Sequence, residues 1–227
     1  MKIKQVVLAD PVHVAGPILS ALKQLGLQIS DNLNHESRSD SLLICPPGYE
    51  EDTKGSLLIR QALAGGAAIS IKDSDACPVL EEIAETGGLS QATRDRLKAY
   101  ALFRCLQSDA RRLEALQAGM EGMPLYAAAA YEKMQELRYG ENPHQKGALY
   151  QEIGAPATAL VFAEQWHGKE LSFNNVLDTD AAWSLVKEFP LPAVVMIKHN
   201  NPCGVATAEK LSLARQRAYE CAKVSAS

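Results

Sequence analysis

The sequence predicts an α/β protein in which a small parallel-sheet domain is joined by a long helix to a second α/β region. Short apolar runs alternate with helical patterns over the first 88 residues, one uninterrupted amphipathic pattern follows, and a further strand and helices come after it. Strands that alternate with helices are typical of a parallel sheet covered on both faces. We therefore predict an α/β domain over 1–88, a helical connector over 89–124 and a second α/β domain over 125–227.

Four apolar runs in the first domain predict strands, and two patterns of helical period predict helices between them. The strands are expected at 5–8, 27–30, 42–45 and 67–72, and the helices at 17–25 and 57–64. Gly26 follows the first helix as a stop signal, and Gly65-Gly66 follows the second. The polar segment 31–40 is predicted to be a loop.

The connector is predicted to be a single long helix that Ser90 caps and that ends by Gly119. Its predicted apolar stripe is Leu97, Tyr100, Phe103, Leu106, Ala110, Leu113 and Leu116. In the third region we expect a helix capped by Asp178, a buried strand over 193–197 and a last helix capped by Thr207.

Composition and charge exclude several classes of protein. Of the 227 residues, 47% are hydrophobic and 22% are charged, which excludes a disordered or collagen-like chain. Lys and Arg total 23 against 27 Asp and Glu, and a net charge of −4 argues against a broad nucleic-acid-binding surface.

No apolar run approaches the roughly 20 residues of a membrane span. The five scattered cysteines do not resemble a disulfide framework, so we expect a soluble, reduced, cytoplasmic protein.

The segment IKHNNPCG, residues 197–204, carries the strongest chemical signal. It places Lys198 and His199 at the end of the predicted buried strand, where open α/β sheets bind ligands. An imidazole is the natural proton acceptor at neutral pH, and a turn at Asn-Pro and Cys-Gly would bring the two side chains together. A histidine hydrogen-bonded in an ordinary loop is the alternative. A zinc deaminase pattern is absent, since no Glu lies two residues after His199 and no second Cys follows Cys203.

Two earlier segments carry weaker signals. In LRYGENPHQ, residues 137–145, Arg138 offers a planar fork for a phosphate or carboxylate, and Tyr139 offers a flat face for a heterocycle. An irregular loop with a surface ion pair is an equally good interpretation. In GKELSFNNVLD, the amides of Asn174 and Asn175 are able to recognise a base or carboxamide, but paired Asn is also ordinary turn chemistry.

Together with GKELSFNNVLDTDAAW at 168–183, these segments closely resemble the bifunctional purine-biosynthesis proteins that combine AICAR transformylase with IMP cyclohydrolase. The resemblance extends to GGLSQATRDRLKAYAL at 87–102 and, more weakly, to 55–73. It implies a shortened, degenerate methylglyoxal-synthase-like fold for the first domain. For 125–227 it implies the N-terminal part of a cytidine-deaminase-like transformylase domain.

The resemblance also implies roles for individual residues. His199 matches the proton acceptor for attack of the AICAR amine on the cosubstrate 10-formyltetrahydrofolate, and Lys198 matches its electrostatic assistant. Arg138 and Tyr139 match residues that contact the AICAR nucleotide, and Asn175 falls at a further substrate-contacting position. No metal is expected. A weak aromatic amine needs both a base and a stabiliser of the developing oxyanion, which agrees with these side chains.

The part of the chain that resembles the cyclohydrolase departs from the family pattern. The family's catalytic Lys follows a Leu-Arg-Ala-Ala-Ala stretch, whereas here the matching stretch is 59–63 and Ala64 follows it. The family's Thr-Gly phosphate loop and its Lys-Thr-Leu-His-Pro segment are also missing. We therefore expect that IMP cyclohydrolase activity is lost.

The sequence stops where family members continue from a similar Val-Ser-Ala, so the resemblance implies that most of the transformylase domain, including the folate site, lies outside it. A truncated paralogue, one piece of a split enzyme and a fragment all remain open. We expect formyl transfer to AICAR giving FAICAR, incomplete in this chain, with a homodimer partner or a complementing transformylase chain. The alternatives are a non-catalytic AICAR-binding pseudoenzyme and an assembly subunit. Neither a nucleic-acid nor a membrane partner is expected.

Overall fold

The computed structural model describes residues 2–10, 16–30, 40–152 and 155–223. The chain divides into two compact units, Met1–Ala130 and Tyr131–Ser227. The described residues form a four-stranded parallel sheet, two two-stranded antiparallel sheets and six α-helices, so the α/β class is confirmed. Except for Asp40, the predicted loop over 31–40 lies outside the described residues. In the part of the chain that is described, every helix is too short or too polar to cross a membrane.

The first unit is built on the parallel sheet. Its strands are β1 (Gln5–Leu8), β2 (Gln28–Ser30), β3 (Ser41–Ile44) and β4 (Ala68–Ser70), in the order β2-β1-β3-β4. The three neighbouring pairs are all parallel. Each of the four predicted apolar runs therefore forms a strand, and the parallel pairing predicted from their alternation with helices is confirmed.

Helices cover both faces of this sheet. They are α1 (Gly16–Gln24), α2 (Thr53–Ala64), α3 (Asp73–Thr86) and α4 (Gln91–Gln117). Because successive strand residues point to opposite faces, Val6 and Val7 enter different cores. The core around Val6 contains residues of α1 and α3, and the core around Val7 contains residues of α2 and α4.

The helices of the first unit correct two predictions. Helix α3 covers 73–86, where the sequence analysis predicted no helix, and Pro78 lies inside it. The predicted stripe of α4 is confirmed at Leu97 and at the partly buried Tyr100, and it is wrong further along the helix. The buried face continues through Ala101 and Cys105, while the predicted Leu106 is 53% exposed. Small side chains on this face let α4 pack closely on β4. The predicted cap is confirmed, since Ser90 Oγ accepts a hydrogen bond from the Thr93 amide at 3.2 Å.

The second unit consists of two antiparallel hairpins and two helices. In chain order they are β5 (Tyr131–Leu137), β6 (Gly147–Glu152), α5 (Phe173–Val186), β7 (Ala193–Lys198), β8 (Asn201–Thr207) and α6 (Leu211–Ala222). The predicted strand over 193–197 exists, but it is half-buried and pairs antiparallel with β8. The expectation that its end lies at the edge of an open parallel sheet is therefore wrong.

Both predicted helix caps in this unit are also wrong. Helix α5 begins at Phe173, five residues before Asp178, and its cap is Ser172. Helix α6 begins at Leu211, and Thr207 is instead the last residue of β8. The start of α5 is set by a local capping box between Ser172 and Asn175, which the sequence analysis did not identify.

Helix α6 packs directly on the backbone of β8. A Cβ atom placed on Gly204 would lie 2.2 Å from the carbonyl oxygen of Ala218 and 2.9 Å from the Cβ of Ala222. Only glycine permits so close an approach. The alanine face of α6 therefore supports the hairpin that carries Lys198 and His199.

Candidate functional site

The loop between β5 and β6 contains Arg138 and Tyr139 and is closed by its own hydrogen bonds. The Gly140 amide donates to the Gln145 carbonyl at 2.8 Å, and the Asn142 amide donates to Gln145 Oε1 at 2.8 Å. These bonds fold 140–145 into a compact turn, so Arg138 and Tyr139 lie at the base of a shaped loop.

Arg138 and Tyr139 form a stacked pair. The Arg138 Cζ atom lies 4.8 Å from the centre of the Tyr139 ring, and its Nη2 donates to the Tyr139 hydroxyl at 3.1 Å. Hydrogen bonds with the Ser172 hydroxyl and the Arg138 guanidinium lower the pKa of the Tyr139 phenol below its ordinary value. A guanidinium has five N–H donors, so the stacked Arg138 still has donors for an anionic ligand.

Backbone hydrogen bonds attach this pair to the start of α5. The Arg138 amide donates to the Leu171 carbonyl at 2.8 Å, and the Phe173 amide donates to the Tyr139 carbonyl at 3.1 Å. Ser172, which lies between these two contacts, is buried and caps α5. The arginine–tyrosine pair is thereby fixed to the N-terminus of the helix.

Asn175, the third predicted substrate contact, belongs to the cap of α5. Its Oδ1 accepts hydrogen bonds from the Ser172 amide at 3.1 Å and from the Ser172 hydroxyl at 2.9 Å. The two residues form a capping box, in which the side chain of each contacts the backbone of the other. A ligand contact by Asn175 would therefore use its Nδ2 group.

Lys198 and His199 lie where β7 turns into β8. Lys198 pairs with Asn201 across the hairpin, and the two loop residues are His199, with φ of 53°, and Asn200, with φ of 62°. Two consecutive positive φ angles are what a type I′ hairpin turn requires. The sequence predicted a sharp turn here but placed it at Asn-Pro and Cys-Gly. These pairs lie within β8 instead.

Cys203 belongs to strand β8. It lies at a register shift in the hairpin, where Met196 pairs with Gly204 and Ile197 pairs with Pro202. Its Sγ atom is 3.5 Å from the Met196 carbonyl oxygen. The thiol thus contacts the backbone of its own hairpin.

One face of α5 joins the two predicted clusters. Asn174 Nδ2 donates to the Glu141 carbonyl of the first loop at 3.0 Å, and Asp178 Oδ1 accepts from the Asn200 amide of the hairpin turn at 2.6 Å. Residues four apart on a helix are neighbours, with about 5–6 Å between their Cβ atoms. The Arg138–Tyr139 loop and the Lys198–His199 turn are therefore held side by side by one turn of α5.

Sequence reasoning missed the residues that hold the site together. Ser172 and Asn175 are a capping-box pair that Ser-x-x-Asn spacing could have indicated. Asp178 was assigned to capping, and nothing local indicates its contact with Asn200, which lies 22 residues later in the chain. The side chains of Arg138, Lys198 and His199 are exposed, so the site is an open surface in this chain.

Comparison with known proteins gives the family. The sequence model described as the AICARFT/IMPCHase bienzyme matches residues 67–227, which is more than half of the chain. This chain belongs to the AICARFT/IMPCHase bienzyme family. All five predicted site residues lie within the matched range, whereas β1, β2 and β3 lie before it.

Bacterial relatives within the AICARFT/IMPCHase bienzyme family are similar over most of the chain. The bifunctional purine biosynthesis protein PurH of Bacillus cytotoxicus is 42% identical over 177 residues, which is 77% of this chain and 35% of the relative. PurH of Halalkalibacterium halodurans is 47% identical over 149 residues, or 65% of this chain and 29% of the relative. The chain thus spans about a third of the length of these curated relatives.

Proposed function

We propose that this chain binds AICAR and carries the proton-accepting part of an AICAR transformylase, which transfers the formyl group of 10-formyltetrahydrofolate to AICAR and gives FAICAR. The observation that supports this most is the pair of hydrogen bonds from Asn174 and Asp178, which hold the Arg138–Tyr139 loop and the His199 turn on one face of α5. The names of the bacterial relatives, bifunctional purine biosynthesis proteins, agree with the proposal.

Each side chain has a role that its chemistry suits. Arg138 binds the phosphate of AICAR through its planar fork, and Tyr139 contacts the nucleotide beside it. His199 accepts the proton of the AICAR amine as its nitrogen bonds to the formyl carbon. Lys198 stabilises the negative charge that develops on the formyl oxygen. The bond from the formyl carbon to the folate nitrogen then breaks, and that nitrogen takes up a proton.

The proposal includes a fold assignment for each of the three regions of the chain. We assign 1–88 to a shortened methylglyoxal-synthase-like fold, 89–124 to a connector and 125–227 to the N-terminal part of a cytidine-deaminase-like domain. The exposed site requires a second protein surface to exclude water and to bind the folate. A homodimer partner or a complementing transformylase chain in the cytoplasm would supply that surface.

Titration of the purified chain with AICAR in a calorimeter tests the binding step. We expect binding by the wild-type chain, and we expect Arg138→Ala to weaken it about tenfold to a hundredfold because a charge-assisted contact with the phosphate is lost. Arg215→Ala removes an exposed arginine of the same unit, on α6, and is the matched control. Absence of AICAR binding to the wild-type chain, or equal losses in the two variants, would contradict the proposal.

Loss of the cyclohydrolase activity is a separate part of the proposal. The stretch that matches the family's catalytic segment ends at Leu63, and Ala64 stands where the family has its catalytic Lys. An alanine methyl group has no ionisable atom to supply to ring closure. Incubation of the chain with FAICAR is therefore expected to give no IMP absorbance, and robust turnover would show that this part is wrong.

A non-catalytic AICAR-binding protein is the second candidate. The observation that favours it is the exposure of Lys198 and His199 in a chain that spans about a third of its relatives. A formyl-transfer assay with a complementing transformylase chain present separates the two candidates, since both bind AICAR and only the first consumes 10-formyltetrahydrofolate.

A further inference from the structure

The turn that carries His199 is unfavourable for its own residues. Positive φ is uncommon outside glycine, and type I′ turns strongly prefer Asn-Gly or Gly-Gly at their two central positions. Here the central residues are His199 and Asn200, with φ of 53° and 62°. A non-glycine residue in this region persists only when surrounding contacts hold it there.

Asp178 provides such a contact. Its Oδ1 accepts the Asn200 amide at 2.6 Å, a short distance for an N–H donor and typical of a charge-assisted bond. The second local contact is weaker and lies within the hairpin itself, where Asn201 Nδ2 donates to the His199 carbonyl at 2.9 Å. The bond from Asp178 therefore ties the turn to another element, helix α5.

The position of Asp178 on α5 gives this bond a second consequence. Asn174, one helical turn earlier, holds the Glu141 carbonyl of the loop that contains Arg138. The distance between the phosphate-binding arginine and the histidine is thus set by the spacing of two side chains on one rigid helix. A positioning contact on a helix is more accurate than one made by a loop.

We propose that Asp178 is a positioning residue, which holds the Asn200 amide and so fixes the left-handed turn that presents His199 beside the Arg138 loop. Its effect on catalysis rests on the proposed function, whereas its effect on the turn does not. The carboxylate acts through the backbone of Asn200 and does not itself touch the substrate.

Amide hydrogen exchange of Asn200, followed by NMR on the whole chain, tests the effect on the turn. In Asp178→Ala we expect exchange at Asn200 to accelerate about tenfold to a hundredfold, the loss typical of a hydrogen bond to a charged group. Asp178→Asn keeps an acceptor oxygen and is expected to retain part of the protection. Asp180→Ala, an exposed aspartate on the same helix, should leave Asn200 unchanged. Unchanged exchange in Asp178→Ala would overturn the proposal.

A rescue variant separates positioning from general damage to the fold. Glycine at position 200 adopts positive φ without cost, so Asp178→Ala combined with Asn200→Gly is expected to restore the hairpin turn. Fluorescence of Trp166 and Trp183, both in the second unit, should stay unchanged in every variant. A change in that fluorescence together with no rescue would show that Asp178 merely stabilises the unit, and would also overturn the proposal.

The catalytic consequence is measured by formyl transfer to AICAR. We expect Asp178→Ala to lower kcat about tenfold or more with little change in KM for AICAR, and the Asn200→Gly rescue to recover most of it. Unchanged kcat alongside faster Asn200 exchange would show that the turn does not position His199. These rates are measured with a complementing transformylase chain present. Absence of formyl transfer by the wild-type chain under that condition would count against the proposed function, while the exchange data would still decide whether Asp178 holds the turn.

Discussion

Replacement of Arg104 by alanine is expected to lower the free energy of unfolding of the first unit by about 3–5 kcal/mol. The Arg104 guanidinium forms an ion pair with Glu50, whose side chain is only 1% exposed. Without the arginine, the Glu50 carboxylate is left in a poorly hydrated site without its opposite charge, and an unpaired buried charge destabilises the folded state.

Signals specific to each unit allow this prediction to be measured. Burial raises the pKa of the Cys45 thiol, so in the first unit this group should react with a thiol reagent only when the unit opens. Both tryptophans of the chain, Trp166 and Trp183, belong to the second unit. Urea unfolding followed by thiol reactivity should therefore show the loss, while tryptophan fluorescence should report an unchanged second unit.

The adjacent ion pair supplies a matched control. Arg111 on the same helix lies 3.2 Å from Glu51, and both side chains are about half exposed. Arg111→Ala should therefore cost only about 0–1 kcal/mol, as is usual for surface pairs. Glu50→Leu combined with Arg104→Met removes both charges and leaves an apolar side chain at each position, so it should recover most of the stability lost in Arg104→Ala. Equal costs for Arg104→Ala and Arg111→Ala would contradict the assignment of a buried pair.

The parallel sheet was predictable because its signals are local. Strands β1, β3 and β4 are short, mostly buried apolar runs, and strands buried on both faces need little else to be recognised. Helix α3, which follows the last strand of the sheet, was harder to predict because Pro78 interrupts its helical pattern. The buried face of α4 was predicted wrongly because burial there follows close packing on β4, which selects Ala101 and Cys105 over larger leucines.

The hairpins of the second unit were less predictable. Strand β5 has the sequence YEKMQEL, whose residues are mostly exposed, so no apolar alternation marks it. The turn between β7 and β8 occurs at His199-Asn200, although Asn-Pro and Cys-Gly are the stronger turn signals. Pairing between the strands and the bond from Asp178 decide the position of the turn, and Asp178 lies 22 residues before Asn200 in the sequence.

The candidate site shows the same division between local and distant information. Arg138, Tyr139, Lys198 and His199 could be chosen from short segments, since side-chain chemistry is visible in the sequence. That their segments meet on one face of α5 depends on hydrogen bonds from Asn174 and Asp178 across 33 and 22 residues. No pattern of spacing within either segment contains that information.

His199→Ala is expected to lower kcat/KM for formyl transfer to AICAR by about 10²–10⁴, the usual effect of removing a general base. The histidine lies at the tip of the β7–β8 hairpin with its side chain exposed, so its removal should leave the packing of the unit intact. Binding of AICAR through Arg138 should persist, and the loss should therefore fall on kcat more than on KM. Initial rates with 10-formyltetrahydrofolate, measured with a complementing transformylase chain present, provide the test.

The control for His199→Ala is His167→Ala, which removes another exposed histidine of the same unit outside the predicted site. It should leave the rate unchanged, because a histidine that does not meet the substrate cannot accept its proton. Equal losses of rate in His199→Ala and His167→Ala would contradict the proton-accepting role of His199, and that role would then have to be assigned to another group.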